Sequence, residues 1–326
     1  MQKNRRTLVM GLGAGALAAA SGARAQGADY PSKPVRIILP LAAGSSGDIA
    51  TRFFAERLTQ RLGQSFIVDN LPGANALPAV AALNRSAHDG YTLLQGTSAA
   101  VSLNPVLVKN LPYDALEDLK PVAGLIRTAQ VIAVPSTSPM RTLADVVKTA
   151  KTAGNPLNSA TYGPLYLLAQ EWFGSVIGAK FNNIAYKGAN EAATALAAGQ
   201  LDMGFVDFAG VLPLVRAGRI RVVAVTSDER LADFPDVPTF RESGYPDFVS
   251  YAWASLYVRR EVPDAVVDKL AVAMRAVHGS KETRDFVGKQ PGVQTMPFGP
   301  AEMRKFQVEE INRLRKIATM ANIQPQ

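Results

Sequence analysis

The chain has no cysteine, and only two histidines and two tryptophans, in 326 residues. Without a thiol there is no disulfide, no thiol nucleophile, no thiolate metal site and no lipid-bearing N-terminal cysteine. His88 stands just before a turn and His278 at a helix end, far apart and outside any metal or nucleophile pattern. Neither H-E-x-x-H nor G-x-x-x-x-G-K-[ST] occurs, and Gly44-Ser45-Ser46-Gly47 lacks the G-x-S-x-G spacing of a nucleophile elbow. Asp202, Asp228, Glu229 and Asp233 read as solvated turn acids, not as a cluster for metal or acid–base chemistry. The expectation is a protein that is not an enzyme and takes no cofactor or metal.

Beyond residue 25 no uncharged apolar run approaches the ~18 residues that would span a bilayer. Basic runs interleaved with aromatics are also missing, which argues against nucleic acid as a partner. What remains is a mild positive balance. The formal charge of +8 falls to +4 without the four charges of the first 25 residues, and such a field favours small anions. A hydrophobic content of 48% supports well-buried cores. The roughly 300 residues after the first 25 suit two domains.

Residues 1–25 carry Lys3, Arg5, Arg6 and Arg24 and no acid, followed from Thr7 to Ala23 by an uncharged Ala/Gly-rich run. Ala23-Arg24-Ala25 places small residues where a signal peptidase reads, so cleavage is expected after Ala25. Asn4-Arg5-Arg6-Thr7-Leu8-Val9 resembles a twin-arginine export signal, and the same residues also fit an ordinary Sec signal. Gly11, Gly13 and Ala16 imitate a dinucleotide fingerprint, but no strand precedes them. The product is expected in the periplasm, soluble and without a lipid anchor.

Strand and helix alternate almost throughout. Strands are expected at Val35–Leu39, Phe66–Val68, Tyr91–Gln95, Val131–Val134, Asn158–Tyr162, Asn183–Tyr186, Asp202–Val206, Arg221–Thr226 and Tyr251–Val258. Helices fill the intervals, among them Asp48–Leu62 closed by Gly63 and Thr142-capped Leu143–Lys151, and Pro300–Met320 ends the chain. In that last helix Phe306, Ile311, Leu314 and Ile317 form the inward face and the charges a solvated one. Such alternation predicts an α/β protein with parallel, doubly wound sheets.

The stretch Pro31–Arg52 is the most telling. A buried strand runs into the small-residue loop Ala42–Gly47 and then a helix, an arrangement whose free N–H groups and dipole attract anions. This stretch resembles the opening of the tripartite tricarboxylate transporter substrate-binding proteins, the Bug-type periplasmic receptors. The resemblance continues through Pro72-Gly73-Ala74, Asp89-Gly90-Tyr91-Thr92-Leu93-Leu94, Gly96-Thr97-Ser98 and Asn104-Pro105. It extends through Leu111-Pro112-Tyr113-Asp114, Tyr186-Lys187-Gly188, Gly199-Gln200-Leu201-Asp202, Ala224-Val225-Thr226-Ser227 and Pro235-Asp236-Val237-Pro238-Thr239. Each motif is weak alone; their order and spacing make the resemblance specific.

That resemblance implies a two-lobed periplasmic binding protein fold of type II-like form, each lobe a doubly wound sheet with helices on both faces. The first lobe would hold residues 26–128 and 252–326, the second 129–251. A small carboxylate would bind in the cleft between lobes and pass to membrane transporter components. A docked sensor kinase extracytoplasmic domain is the alternative partner, and an orphan receptor that has lost carboxylate binding is a third reading. First-lobe contacts would come from Leu41, Ala43, Gly44, Ser45, Ser46 and Asp48, with Thr97 and Ser98 after the third strand. Asp48 or Ser46 has a competing role as helix cap, and Ser98 as a turn residue.

In the second lobe the sequence departs from the family pattern. Ala160-Thr161-Tyr162-Gly163-Pro164-Leu165-Tyr166 lacks the usual hydroxyl-rich turn and histidine, and Pro164 removes an N–H donor. Thr161, Tyr162, Gly163 and Tyr166 are the expected contacts there, Tyr166 with a core-packing alternative. Asp207 and Phe208 end a strand facing the cleft. Asp207 would either meet a ligand ammonium or hydroxyl, or cap the following helix. A monocarboxylate, aromatic or amino-bearing, is the expected ligand.

Overall fold

The computed structural model describes residues 30–325; the export signal expected at residues 1–25 lies outside the described residues. Strand β1 (Val35–Leu39), helix α1 (Ser46–Leu62), β2 (Phe66–Asn70), α2 (Leu77–Asn84) and β3 (Thr92–Thr97) build a parallel unit in the order β2-β1-β3. A π turn (Ala99–Leu103) and the short α3 (Asn104–Leu107) lead into β4 (Leu119–Pro135), a strand of 17 residues. Then come α4 (Leu143–Thr152), β5 (Leu157–Thr161), α5 (Pro164–Ile177), β6 (Phe181–Ala185), α6 (Ala189–Ala197) and β7 (Met203–Asp207). Next are α7 (Phe208–Arg216), β8 (Ile220–Val225), β9 (Tyr251–Arg259), α8 (Asp264–His278), α9 (Lys281–Gly288), β10 (Val293–Thr295) and α10 (Pro300–Met320). Local chemistry explains several ends. Thr142 and Asp145 form a capping box on α4, and Gly63 closes α1 at φ 73°, where a β-carbon would be strained.

The sheets are mixed at the centre, where the alternation pattern predicts only parallel pairs. The order is β2-β1-β3-β9-β4-β7-β5-β6, with β10 and β8 also on β4. β9 runs antiparallel to β3 and β4, and β7 and β8 run antiparallel to β4; the outer pairs stay parallel. Strand β4 changes partners in mid-course: Ala129 faces Tyr251 of β9, and the next residue, Gln130, faces Asp207 of β7.

This reversal positions everything that follows. Thr97, at the carboxyl end of β3, lies opposite Ala254, which lies opposite Ile126 of β4. Asp207, at the carboxyl end of β7, lies opposite Gln130. The two marks are four positions apart on β4, about 13 Å at the usual strand rise. The carboxyl ends of the strands in the two halves therefore face one another across a single crossing point.

Each half has its own core. Phe54, Leu58 and Leu270 pack on one face of the first sheet, and Ile38, Tyr257 and Met303 on the other. In the second half Phe173, Phe205, Phe240 and Phe248 form an aromatic cluster opposite a layer with Val131 and Phe208. Helix α10 serves both: Met303 and Phe306 join a first-half cluster, whereas Ile311, Leu314 and Ile317 join the aromatic one.

The crossing is clasped by one side chain. Thr226 Oγ1 accepts from Gln130 N (3.0 Å) and donates to Ser250 O (2.6 Å), while Thr226 N donates to Gln130 O (2.9 Å). Ser250 N in turn donates to Thr226 O (3.0 Å), so β4 and the start of β9 are tied together where both pass between halves. Asp228 adds a second tie, accepting from the Tyr251 hydroxyl and lying 3.7 Å from Arg127, so it is not the free turn acid its sequence context implies. Replacing Thr226 by Val leaves the buried Gln130 N–H unpaired and should cost about 1–3 kcal/mol. Equilibrium urea unfolding of the variant against wild type measures this.

Candidate functional site

Four segments with helical geometry begin at the facing strand ends: α1 after β1, the π turn after β3, α5 after β5 and α7 after β7. Each turns free N–H groups toward the crossing. How each is capped decides what remains available to a ligand.

Ser45, not the expected Ser46 or Asp48, is the cap of α1, its Oγ accepting from Asp48 N (3.2 Å). Asp48 is 3% exposed and organises the loop from below. It accepts from Gly44 N (2.9 Å), Asn70 Nδ2 (2.9 Å) and Arg52 Nε (3.0 Å). Burial alone would raise its pKa. The hydrogen bonds from Arg52, Asn70 and Gly44 outweigh that, with the Arg52 charge behind them, and hold it below 3.8. Asp48 is thus spent on shaping the loop. Leu41 folds over Gly47, where a β-carbon would meet its Cδ1. Ala43, Gly44 and Ser46 are exposed, and Ser46 Oγ hydrogen-bonds no described residue. Gly44 takes φ 80°, which suits glycine.

Thr97 Oγ1 accepts from Ala100 N (3.1 Å) and so caps the π turn. The neighbouring Ser98 is buried, and its hydroxyl bonds no described residue.

The second half is built differently. Gly163 (φ 90°) precedes α5 and offers no side-chain cap, and Pro164 holds the first helical position. The N–H groups of Leu165 and Tyr166 are left to whatever lies over the helix end. Tyr162 and Tyr166 pack ring to ring at 4.1 Å, tilted by 32°. The Tyr162 hydroxyl donates to Asp207 Oδ2 and accepts from Asp207 N (3.1 Å). Asp207 Oδ1 accepts from Gly210 N (2.6 Å), so Asp207 caps α7 and each of its oxygens has a partner. Of the two roles expected for Asp207, the structure shows the helix cap. Burial drives its carboxyl above the usual range, against the Gly210 N–H and its own backbone N–H.

Two other expected contacts belong to the framework. Thr161 Oγ1 donates to Asn183 Oδ1 (2.6 Å), fastening β5 to β6. Phe208 is 0% exposed, edge-on to Phe234 at 4.7 Å within the second-half core, and so does not face the cleft. The structure also brings in residues that the loop pattern does not single out. Arg52 and Asn70 hold Asp48, and Gln130 stands at the crossing. A lone amide inside the apolar run Ala129–Pro135 was the only sequence signal for Gln130. Among the described residues no group of three or more His, Cys, Asp or Glu side chains could hold a metal, and no helix is long and apolar enough to cross a membrane. His278 is bonded through Nε2 to Gly124 O (2.9 Å) and packs on Phe54.

The two loop carboxylates should titrate with opposite sign. Asp48, lowered in the fold, stabilises above 3.8, and that contribution fades as pH falls through its lowered native value. The cost of Asp48→Asn should therefore shrink on acidification. Asp207, raised in the fold, binds a proton that the unfolded chain releases above 3.8, so its ionisation erodes stability as pH rises. Asp207→Asn should gain on wild type as pH climbs from 3.8 toward neutrality. Urea unfolding of both variants across pH 3 to 8 checks the two trends.

Comparison with known proteins identifies a receptor family. The family model described as tripartite tricarboxylate transporter family receptor matches residues 50–323. Protein BugT of Bordetella pertussis is 30% identical over 287 residues, covering 87% of this chain and 88% of BugT. The structure of Rpa4515 of R. palustris with adipate superposes with a TM-score of 0.84 at 27% identity, covering 91% of this chain and 100% of that one. MatC of Rhodopseudomonas palustris with bound malate gives 0.79 at 25% identity, covering 88% and 99%. With its two-lobed periplasmic binding protein fold and this match across most of its length, the chain belongs to the tripartite tricarboxylate transporter receptor family, of the Bug type.

Proposed function

We propose that this protein is a periplasmic receptor that closes on a small carboxylate with an aromatic or apolar body. It delivers that ligand to a tripartite tricarboxylate-type membrane transporter and performs no chemistry on it. The lobes in this reading are residues 26–128 with 252–326 and residues 129–251, meeting at the β4 crossing. The basic, acid-free start followed by an apolar run and Ala23-Arg24-Ala25 supports export, with no cysteine to carry a lipid.

The carboxylate is read from the helix ends. Exposed Ser46, the Ser98 hydroxyl and the uncapped start of α5 supply donors from both halves without a fixed cation. Adipate and malate, bound by two structural relatives, are acids of this class. The aromatic or apolar body is read from the Tyr162–Asp207 bond, the observation that carries this part. Asp207 is buried and bonded to Tyr162 and Gly210, and the paired rings of Tyr162 and Tyr166 present the surface beside it.

Thermal unfolding against aromatic monocarboxylates, linear dicarboxylates and amino acids tests the reading. A ligand at one hundred times its dissociation constant should add about 2.7 kcal/mol. Aromatic monocarboxylates should shift the transition and amino acids should not, and Tyr162→Ala should weaken binding. Full affinity in Tyr162→Ala, or a shift confined to amino acids, would overturn the aromatic assignment. No shift with any acid, in protein stripped of carried ligand and correctly refolded, would overturn the carboxylate receptor itself.

A further inference from the structure

Asn75 and Ala76, between β2 and α2, are consecutive residues at φ 53° and 69°. Such left-handed backbone suits glycine, is tolerated by asparagine and is strained for alanine. Ala76 has a reason to be there: it is 6% exposed and packs in the first-half core with Val80 and Leu83. Asn75 has none within the protein. Its side chain is exposed and hydrogen-bonds no described residue. It therefore lacks even the local bond to backbone by which asparagine usually eases this conformation.

The backbone around Asn75 is fastened at both ends to the candidate site. Asn70 Nδ2 donates to Leu41 O (2.9 Å) and Leu71 N to Leu39 O (2.7 Å), which hold the chain leaving β2 against the loop that follows β1. At the far end Asn104, 2% exposed and next after the π turn, donates through Nδ2 to Asn75 O (2.8 Å) and lies 3.0 Å from the Tyr113 hydroxyl. Residues 71–76 thus run across the carboxyl end of the parallel β2-β1-β3 unit, from the loop that holds Ser46 to the turn that follows Ser98. Asn75 stands on this bridge, pinned through its carbonyl, with its carboxamide open to solvent.

We infer that Asn75 is a further ligand contact, its Nδ2 donating to the ligand carboxylate from the first half, beside Ser46 and Ser98. The inference rests on the carboxylate-receptor reading and adds an orientation to it. The carboxylate end lies on the first half, and the apolar body points toward Tyr162 and Tyr166. A neutral carboxamide matches the other donors of this site, none of which carries a charge. Because the backbone is pinned at the Asn75 carbonyl, the direction in which the side chain leaves it is fixed before any ligand arrives.

The test replaces Asn75 by Gly, which keeps the backbone conformation and removes the carboxamide, and by Asp, which tolerates φ > 0 and puts a charge where the donor was. Ala76→Gly is the control, because it relaxes the same turn and leaves the carboxamide in place. Calorimetric titration with benzoate, phenylacetate and adipate reads affinity, and thermal unfolding without ligand reads the fold. For each acid that wild type binds, Asn75→Gly should lose about tenfold or more, the worth of one hydrogen bond to a charged group. Asn75→Asp should bind more weakly still at neutral pH, where two carboxylates would face each other. Ala76→Gly should bind as wild type does, and Asn75→Gly should unfold no lower than wild type. Unchanged affinity in Asn75→Gly, an equal loss in Ala76→Gly, or Asn75→Asp binding as tightly as Asn75→Gly would each overturn the contact. A clear fall in the unfolding temperature of Asn75→Gly would also overturn it, by showing that the carboxamide has a partner within the protein. Wild type that binds neither these nor any other small acid removes the receptor reading and the contact together, whereas binding that survives Asn75→Gly removes the contact alone.

Discussion

A single strand that belongs to both sheets is the constraint on which the rest depends. β4 runs 17 residues, hydrogen-bonded to β9 as far as Ala129 and to β7 and β8 from Gln130 onward. Because β7 lies antiparallel to it and β3 effectively parallel through β9, the carboxyl ends of the two parallel units point at each other. Open α/β sheets bind ligands at those ends. Here two such ends share one space, so helix starts from both halves converge on it. The Thr226 clasp sits where β4 passes from one sheet to the other.

The same position in the strand–helix unit is used in two opposite ways. After β1, a buried carboxylate is kept ionised by a guanidinium, an amide and a backbone N–H, and its whole function is to shape an exposed loop of small residues. After β7, a buried carboxylate without a cation beside it is pushed toward its neutral form and bound to a phenol. Ion pairing wins at Asp48 because Arg52 sits one turn along the same helix, half in solvent, where its own charge is cheap to keep. No such residue follows Asp207, whose next turn is Phe208-Ala209-Gly210-Val211. The first half therefore carries an exposed loop of small residues, and the second an aromatic pair beside the uncapped start of α5.

Much of the architecture was legible from periodicity and punctuation. Val35–Leu39 and Pro300–Met320 have the bounds expected of them, and Gly63 and Thr142 end and begin helices as their chemistry requires. The first twelve residues of β4 were not legible. Pro121, Gly124, Arg127 and Thr128 break its alternation, and the strand tolerates them through two register shifts against β9. Gly124 is needed because a β-carbon there would meet the Met296 backbone oxygen. The three-residue β10 is too short to leave any period at all.

The order of residues was enough to fix the composition of the loops, the caps they can form, the absence of thiol chemistry and the family, because all of these are local or are carried by ordered motifs. It could not say which candidate polar groups are free. Ser45, Asp48, Thr97, Thr161 and Asp207 all look like ligand contacts in isolation, and each is committed to a partner in the fold. Partners such as Asn70 for Asp48, Asn183 for Thr161 and Tyr162 for Asp207 come from residues 22 to 45 positions away. Gln130 shows the converse: it reads as an interruption in a buried strand, and only the packing around it leaves its amide unanswered. Whether a polar atom is occupied depends on distances between remote segments, and those exist only once the chain has folded.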